Sequence, residues 1–371
     1  MRRTTKIQLA LLDNLVWVMV AVFFIINAAF TPQFLSSRNL LNVLFQSATL
    51  GLMVLGQGIV MMVGELDLSM EATLAFAPGI AILLGSKYGL SAVVCVILTL
   101  LIGAAVGWFN GTCLVKLQTN SFLLTMSTQI VMRGLVLFLV PFSLAKLNPF
   151  YTWLGRGKIG PLQVAVLALF IIYAAFEFFF RKTSAGRRFL LTGGNRRASF
   201  ISGINTEKVV VMAFVLAGFL SAIAGLITAG RQNSVSNNMG SGLVMMAFAG
   251  AILGGCSFNG GMGKPIGMLG GTLLLGMLDN ALTLNGVDVN LVSATKGALI
   301  FLAILLDHLR HRLTAWIMHR ENIRRLIRSS GKGTGPSDQP EPKAGSPSQQ
   351  DLVQEPNQDP KRDPKQNADG S

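Results

Sequence analysis

Three carboxylates lie close together at the boundary between two apolar segments: Glu65, Asp67 and Glu71, in the sequence GELDLSME. A carboxylate at the centre of a membrane helix costs at least ~2.5 kcal/mol, so such groups usually face a cavity or a partner. There they could bind an ion or accept hydrogen bonds from the hydroxyl groups of a solute. The alternative is a turn at the membrane surface in which Asp67 or Ser69 caps the next helix.

A second polar turn, at residues 253–261, resembles the first, because each turn closes a Gly-containing apolar span. This faint repeat would fit two related halves packed about a pathway, although the identities are few enough for coincidence. Asn110 lies beside Gly103, Gly107 and Gly111, a ridge of small residues whose main interpretation is close helix packing. The candidate residues of a translocation pathway are Glu65, Asp67, Ser69, Asn110, Ser257 and Asn259.

No set of residues suggests catalysis. A Ser/His/Asp or Cys/His arrangement is missing from the sequence, and the three cysteines form no CxxC pair in their apolar surroundings. His308 and His311 stand at a basic helix end, where solvated side chains are more common than metal ligands. We therefore expect no enzyme activity and no bound metal.

No motif predicts nucleotide binding by this chain. Residues 155–160 match GxGxxG, but that pattern needs a preceding strand and a soluble helix. Gly263-Lys264-Pro265 is not a phosphate-binding loop either, because Phe258 holds the first Gly position and Pro265 replaces Ser or Thr. We expect no cofactor on this chain, and any ATP chemistry would come from a partner.

The elements that position these residues are predicted to be membrane helices. The 371-residue chain is 51% hydrophobic and only 13% charged, with a mean hydropathy of +0.55, which predicts an all-α polytopic membrane protein. The third and eighth spans are short and Gly-interrupted, so they could be broken or re-entrant helices. The ten predicted spans are 11–30, 40–63, 69–86, 89–115, 121–141, 161–180, 209–230, 241–256, 265–285 and 290–307.

The net charge of +14 indicates membrane topology and not nucleic-acid binding, because the basic residues cluster at the ends of apolar spans. With ten spans, the excess of Lys and Arg predicts that both termini and the loop 181–208 are cytoplasmic. The predicted transmembrane domain is 1–307. Residues 308–328 form a basic amphipathic segment suited to an anionic leaflet, and 329–371 have the composition of a disordered tail.

The loop 181–208 is the one long polar break between apolar blocks. Gly186 and Gly193-Gly194 are interpreted as turn formers, and Asn195 as the N-cap of a short helix over 196–201 that Gly203 stops. Such a helix, with an apolar strip formed by Ala198, Phe200, Ile201 and Ile204, could insert into a groove on a soluble protein. The alternative is a positively charged anchor lying on the lipid surface.

The sequence GRRFLLTGGNRRASFISGIN is similar to the coupling segment GR…G.N..AA..SGI of one transporter family: the permease subunits of bacterial ABC importers for monosaccharides, in the ribose/xylose/galactoside branch. ELDLS resembles the GIDLS of this family, and similar motifs follow in order from about residue 34 to 307. This sequence departs from the motif in three places: Glu65 stands where Gly is usual, Met70-Glu71 where Val-Gly is usual, and Arg197 where a small residue is common.

The resemblance implies a fold like that of the vitamin B12 permease, in the bacterial inner membrane. It also implies as partners a second permease copy or paralogue, an ATP-binding cassette subunit that carries ATP and Mg, a periplasmic solute-binding protein and the lipid bilayer. The residues that it assigns to coupling with the ATPase are Gly186, Arg187, Gly194, Asn195, Arg196, Ala198 and Gly203.

The resemblance predicts import of a sugar or sugar-like solute. An alternative from another class is an ion-coupled secondary transporter that uses Glu65, Asp67 or Glu71 as its ion site. A membrane-embedded enzyme is a third hypothesis, which the missing catalytic set weakens.

Overall fold

The computed structural model describes residues 14–140, 142–288, 291–292, 294–298, 301–302 and 305. The predicted segments 308–328 and 329–371 lie outside these residues. The described part is built from helices, with four two-residue strands in its loops. The helices are α1 Leu15–Phe30, α2 Ser37–Met62, α3 Met70–Tyr88, α4 Ala92–Leu117, α5 Ser121–Leu139, α6 Pro149–Arg156, α7 Val164–Lys182, α8 Ser184–Gly194, α9 Arg196–Ile201, α10 Thr206–Gln232, α11 Leu243–Leu253 and α12 Pro265–Leu284.

Each predicted span from the first to the ninth falls on a helix. Within the described residues, six helices are long and apolar enough to cross a membrane, namely α2, α4, α5, α7, α10 and α12. The chain is therefore a helical, multi-pass membrane protein. The tenth span, 290–307, is only partly described, so the count of ten remains a prediction.

Helices α2 and α10 form the centre of the bundle. Most of α2 from Ser47 to Met62 is buried, and α2 packs against α7, α10, α11 and α12. Helix α10 also packs closely against α4, where a Cβ atom added at Gly107 would overlap the carbonyl oxygen of Phe214. The Gly103–Gly111 ridge is thus a helix-packing surface, which confirms the main interpretation from the sequence.

The four strands modify the all-α prediction only in the loops. Strand β1 (Leu144–Ala145) pairs antiparallel with β4 (Ser234–Val235), and β2 (Lys158–Ile159) pairs with β3 (Leu162–Gln163). Two-residue strands are too short to produce an alternating pattern, so the sequence could not indicate them. The β2–β3 hairpin leads into α7, at the end of that helix opposite residues 181–208. We call the end that carries residues 181–208 the basic end.

Two helices begin away from the bundle ends. Helix α11 has only 11 residues, so it is about 16 Å long, roughly half of a membrane crossing. Helix α3 begins at Met70, after a non-helical segment that follows Gly64. These are the third and eighth predicted spans, and their irregular starts bring together several of the polar side chains considered next.

Candidate coupling site

Two short helices form the surface of the basic end. Thr183 caps α8, because its Oγ1 accepts a hydrogen bond from the Gly186 amide at 3.0 Å. The ring of Phe189 then packs edge-on against Phe179 and Phe180 of α7. The interpretation of Gly186 and Gly193-Gly194 as turn formers was wrong, since all three lie within α8. Gly186 is needed there for packing, because a Cβ atom would overlap the backbone of Phe179.

Helix α9 matches the prediction at both ends. The Asn195 Oδ1 accepts a hydrogen bond from the Ala198 amide at 2.9 Å, and the helix covers Arg196–Ile201. Gly203 follows with φ +82°, a conformation that favours glycine. The N-cap and the stop signal are therefore confirmed. Ala198, Phe200 and Ile201 are exposed, the last two at 69% and 77%, so α9 presents an uncovered apolar strip.

Glycines at the base of α8 allow three backbone segments to meet. The Gly261 amide donates to the Met62 carbonyl at 3.0 Å, and a Cβ atom at Gly193 would overlap that same carbonyl oxygen. Gly64, with φ +82°, lies against Gly260 in the same junction. The α8–α9 unit therefore rests directly on the end of α2 and on the 254–264 loop. No pattern in the sequence predicted that Gly193 makes this contact.

Glu65 lies at this surface and pairs with α9. Its Oε1 is 2.8 Å from an Arg196 guanidinium nitrogen, and the two side chains are 14% and 51% exposed. The pair borders a pocket of about 360 Å³. The other lining residues are Leu114, Val115, Gln118, Thr119, Thr206, Glu207 and Val210.

Residues 65–71, which we call the strap, run from this surface along α5 into the bundle. The Leu66 amide donates to the Ser121 hydroxyl at 3.3 Å, and the Leu68 amide donates to the Thr125 hydroxyl at 3.0 Å. Side-chain hydroxyls one turn apart on α5 thus satisfy backbone donors of the strap, as an irregular segment inside a membrane protein requires.

A buried chain of polar groups continues from the strap. The Asp67 carboxylate accepts from the Ser69 hydroxyl at 2.6 Å and from the Ser69 amide at 2.9 Å. Asn110 donates to the Ser69 hydroxyl at 2.8 Å and accepts from Thr128 at 2.8 Å. Asp67 lies in the loop between α2 and α3, where burial raises the pKa of its carboxyl to about 6 although hydrogen bonds from Ser69 and Met70 oppose the shift.

Glu71 lies at the inner end of the strap, where it joins α5 to α11. Its Oε1 is 2.9 Å from Arg133, and its Oε2 accepts from the amides of Gly242 at 2.9 Å and Val244 at 3.4 Å. Arg133 also donates to the carbonyls of Met239, at 3.2 Å, and Asn237. This role of Arg133 was not predicted from the sequence. The available signal was an arginine inside an apolar span, which needs a partner.

Ser257 and Asn259 lie in the loop that contacts the glycine junction. Ser257 is buried and its hydroxyl accepts from the Asn259 amide at 3.2 Å, whereas Asn259 is exposed. Of the six candidate pathway residues, the structure joins Asp67, Ser69 and Asn110 in one network. It places Glu65, Ser257 and Asn259 at the basic end. A contact between any of them and a solute remains a prediction.

These features define a multi-pass membrane protein with a capped, exposed helix at its basic end. The sequence profile of the family "Branched-chain amino acid transport system / permease component" matches residues 39–305. The chain belongs to this family of transport-system permeases. No solved structure gives a significant match.

Curated relatives align over most of their lengths. The chain is 36% identical over 290 residues to the ribose import permease protein RbsC of Bacillus subtilis, and this alignment covers 77% of the chain and 89% of the relative. It is 31% identical over 294 residues to RbsC of Escherichia coli K12, covering 77% and 91%. For the galactose/methyl galactoside import permease protein MglC of Haemophilus influenzae, the identity is 28% over 318 residues, covering 81% and 95%.

The alternative of an ion-coupled carrier finds no support in the geometry. Glu65 and Glu71 each pair with an arginine, and the Asp67 carboxylate accepts hydrogen bonds from Ser69. Each of the three carboxylates thus has a partner within the protein, and the family is one of transport-system permeases.

Proposed function

We propose that the chain is the membrane permease subunit of an ATP-driven ABC importer that carries a sugar or sugar-like solute into the cytoplasm. The observation that carries this proposal is the near full-length similarity to import permeases named for ribose and for galactose or methyl galactoside. A relative named as an L-arabinose ABC transporter permease, 28% identical over 296 residues, supports the same class.

In this proposal the basic end faces the cytoplasm of a bacterium, and both termini lie on that side of the inner membrane. Ten spans would form a fold like that of the vitamin B12 permease. The chain would work with a second permease copy or paralogue and with a periplasmic solute-binding protein. An ATP-binding cassette subunit would hold ATP and Mg, so hydrolysis would take place outside this chain.

Helix α9 is proposed to couple the permease to that ATPase. Its cap and its stop make it a preformed short helix, and its exposed apolar strip suits a groove on a soluble partner. The residues assigned to coupling are Gly186, Arg187, Gly194, Asn195, Arg196, Ala198 and Gly203. Asp67, Ser69 and Asn110 are buried, so in this proposal they support the wall of the solute route.

The docking role is tested by Ile201→Asp, with Ile159→Asp as its matched control. Both isoleucines are exposed, at 77% and 57%, but Ile159 lies in the hairpin at the opposite end of α7. We expect Ile201→Asp to reduce co-purification of the ATPase subunit by at least about tenfold, because losing a central interface anchor costs about 2 kcal/mol or more. The control should retain wild-type binding.

The class of transporter is tested with the complete transporter in vesicles. Uptake of a labelled sugar should require ATP on the side of the basic end and persist when ion gradients are dissipated. Uptake that follows an ion gradient without ATP would overturn the proposed function. Equal ATPase binding by the two isoleucine variants would overturn the docking role of α9.

A further inference from the structure

We propose that Glu65 and Glu71 are positioning residues of the transport cycle, which connect α9 to the amino end of α11 through the strap. This inference rests on the proposed function, because it assumes that an ATPase docks at α9. Both carboxylates are departures from the family motif described above. In the structure each carboxylate forms an ion pair, Glu65 with Arg196 and Glu71 with Arg133.

The outer end of the strap responds to α9. Arg196 is the first residue of that helix, and its pair with Glu65 reaches across 131 positions of sequence. Arg196 is half-exposed, so water screens the pair and it can break and form again at little cost. A partner that binds α9 would therefore move Glu65 or break its ion pair with Arg196.

The strap can transmit a displacement because it is short, runs directly into the first turn of α3, and is held against α5. Ser121 and Thr125 bind its amides from α5, and the Asp67 side chain folds back onto Ser69. Five residues, Leu66 to Met70, join the two carboxylates, and Glu71 itself belongs to the first turn of α3. A pull at Glu65 is thus conveyed along the strap towards Glu71, while the hydroxyls of α5 keep the strap from moving sideways.

The inner end of the strap controls the start of α11. Gly242, the N-cap residue of α11, offers no side-chain cap of its own, and its φ is +79°. The Glu71 carboxylate supplies the missing cap through the Gly242 and Val244 amides. Arg133 lies 12 positions beyond Ser121 on α5, so this capped helix start, whose Gly242 is exposed, lies about 18 Å along that helix from the basic end.

Together these contacts form one connected path from α9 through Arg196, Glu65, the strap and Glu71 to α11. Discontinuous helices with buried ends are the elements that transporters commonly use around a solute site. Displacement of the strap would move or release the amino end of α11. The ATPase could thereby change the interior of the permease through the first turn of α3 and the start of α11, while α4 and α10 stay packed together.

The test uses Glu65→Gln in the complete transporter, reconstituted in vesicles, with Glu207→Gln as control. Glu207 lines the same pocket and is exposed, and it has no ion pair in the part of the chain that the structure describes. We expect Glu65→Gln to bind the ATPase as well as wild type but to lower sugar uptake per ATP hydrolysed by at least about fivefold, the lower range of typical coupling between sites. The double variant Glu65→Arg/Arg196→Glu, which exchanges the two charges, should restore part of the sugar uptake per ATP hydrolysed.

A second measurement follows α11 directly. Ser241→Cys places a thiol at the exposed start of α11, while the native Cys95 and Cys256 are buried. A non-hydrolysable ATP analogue should change the labelling rate of this thiol by a water-soluble maleimide when Glu65 is present, and should leave the rate unchanged with Glu65→Gln. Cys113, which is partly buried, is replaced by Ala in both backgrounds.

The proposal is overturned if Glu65→Gln leaves the uptake-to-ATP ratio at the wild-type value, or if uptake and ATP hydrolysis fall in equal proportion. An equal nucleotide response of Ser241→Cys in both backgrounds would also overturn it. Failure of the proposed function has a different signature, because the wild-type transporter itself would then show no ATP-dependent uptake.

Discussion

The two ends of the strap use the same pair of side-chain types in different surroundings. At the surface, Glu65 and Arg196 are 14% and 51% exposed, whereas inside the bundle Glu71 and Arg133 are 8% and 22% exposed. The inner carboxylate also binds two backbone amides. An exposed pair contributes little to stability, but removal of one partner from a buried pair leaves an uncompensated charge. The outer pair, Glu65–Arg196, is therefore a contact that can be exchanged, whereas the inner pair, Glu71–Arg133, is a fixed support.

The largest effect is expected from Glu71→Gln. It leaves the Arg133 charge, whose side chain is 22% exposed, without its carboxylate, and should destabilise the protein by up to about 3 kcal/mol, the lower end of the range for a fully buried pair. Thermal unfolding of the purified protein in detergent measures the loss. Adding Arg133→Gln to Glu71→Gln should recover part of it, because the uncompensated charge is then removed. If Glu71→Gln were as stable as Glu65→Gln, the inner ion pair would contribute no more to stability than the outer one, and the comparison would be disproved.

An intermediate effect is expected from Thr125→Val, which removes the hydroxyl that accepts from the Leu68 amide. An unsatisfied buried amide costs about 1–3 kcal/mol, and the same unfolding measurement should show a loss in that range. Thr125→Ser keeps the hydroxyl and should lose less. Ser127→Ala is the control, since Ser127 is exposed and, among the described residues, its hydroxyl bonds only to the Leu123 carbonyl of its own helix. A loss from Thr125→Val no larger than that of the control would contradict a strap held by α5.

The smallest effect on stability is expected from Glu65→Gln, at about 0–1 kcal/mol. Its difference from wild type should shrink further as salt rises from about 0.01 to 1 M, because the screening length falls from about 30 to 3 Å. Parallel melting curves at the two salt concentrations test this. A loss that is large and insensitive to salt would show that the outer pair is as buried and as fixed as the inner one.

Local signals were sufficient for part of the site. Asn195 and Gly203 are a helix cap and a helix stop whose effects act within a few residues, so α9 could be predicted with its bounds. The four-residue spacing of Gly103, Gly107 and Gly111 likewise reports a single helix face. The order of the apolar segments predicted the membrane class and the positions of the helices from α1 to α12, apart from the short α6, α8 and α9 outside the spans.

Tertiary contacts account for what the sequence could not show. Glu65 and Glu71 were predicted to be close to each other, but their partners lie 131 and 62 positions away, and no periodicity identifies such pairs. For Gly186 a local rule gave a wrong prediction. Glycine favours a turn locally, but close packing against α7 places Gly186 within helix α8. The carboxylates were recognised as important, but which cation each one meets depends on how the helices are arranged.

The contact between α4 and α10 has a mechanical consequence. Added Cβ atoms at Gly103, Gly107 and Gly111 would press on the backbones of Gly218, Phe214 and Val211, so the two helices touch main chain to main chain. Neither can slide or roll past the other without a collision of backbone atoms. Helices α4 and α10 therefore move as one rigid body. Any opening of the molecule must follow other helix contacts. The contact between α5 and residues 66–68 of the strap is the more compliant one, because it is made through two hydroxyl-to-amide hydrogen bonds and not through abutting backbones.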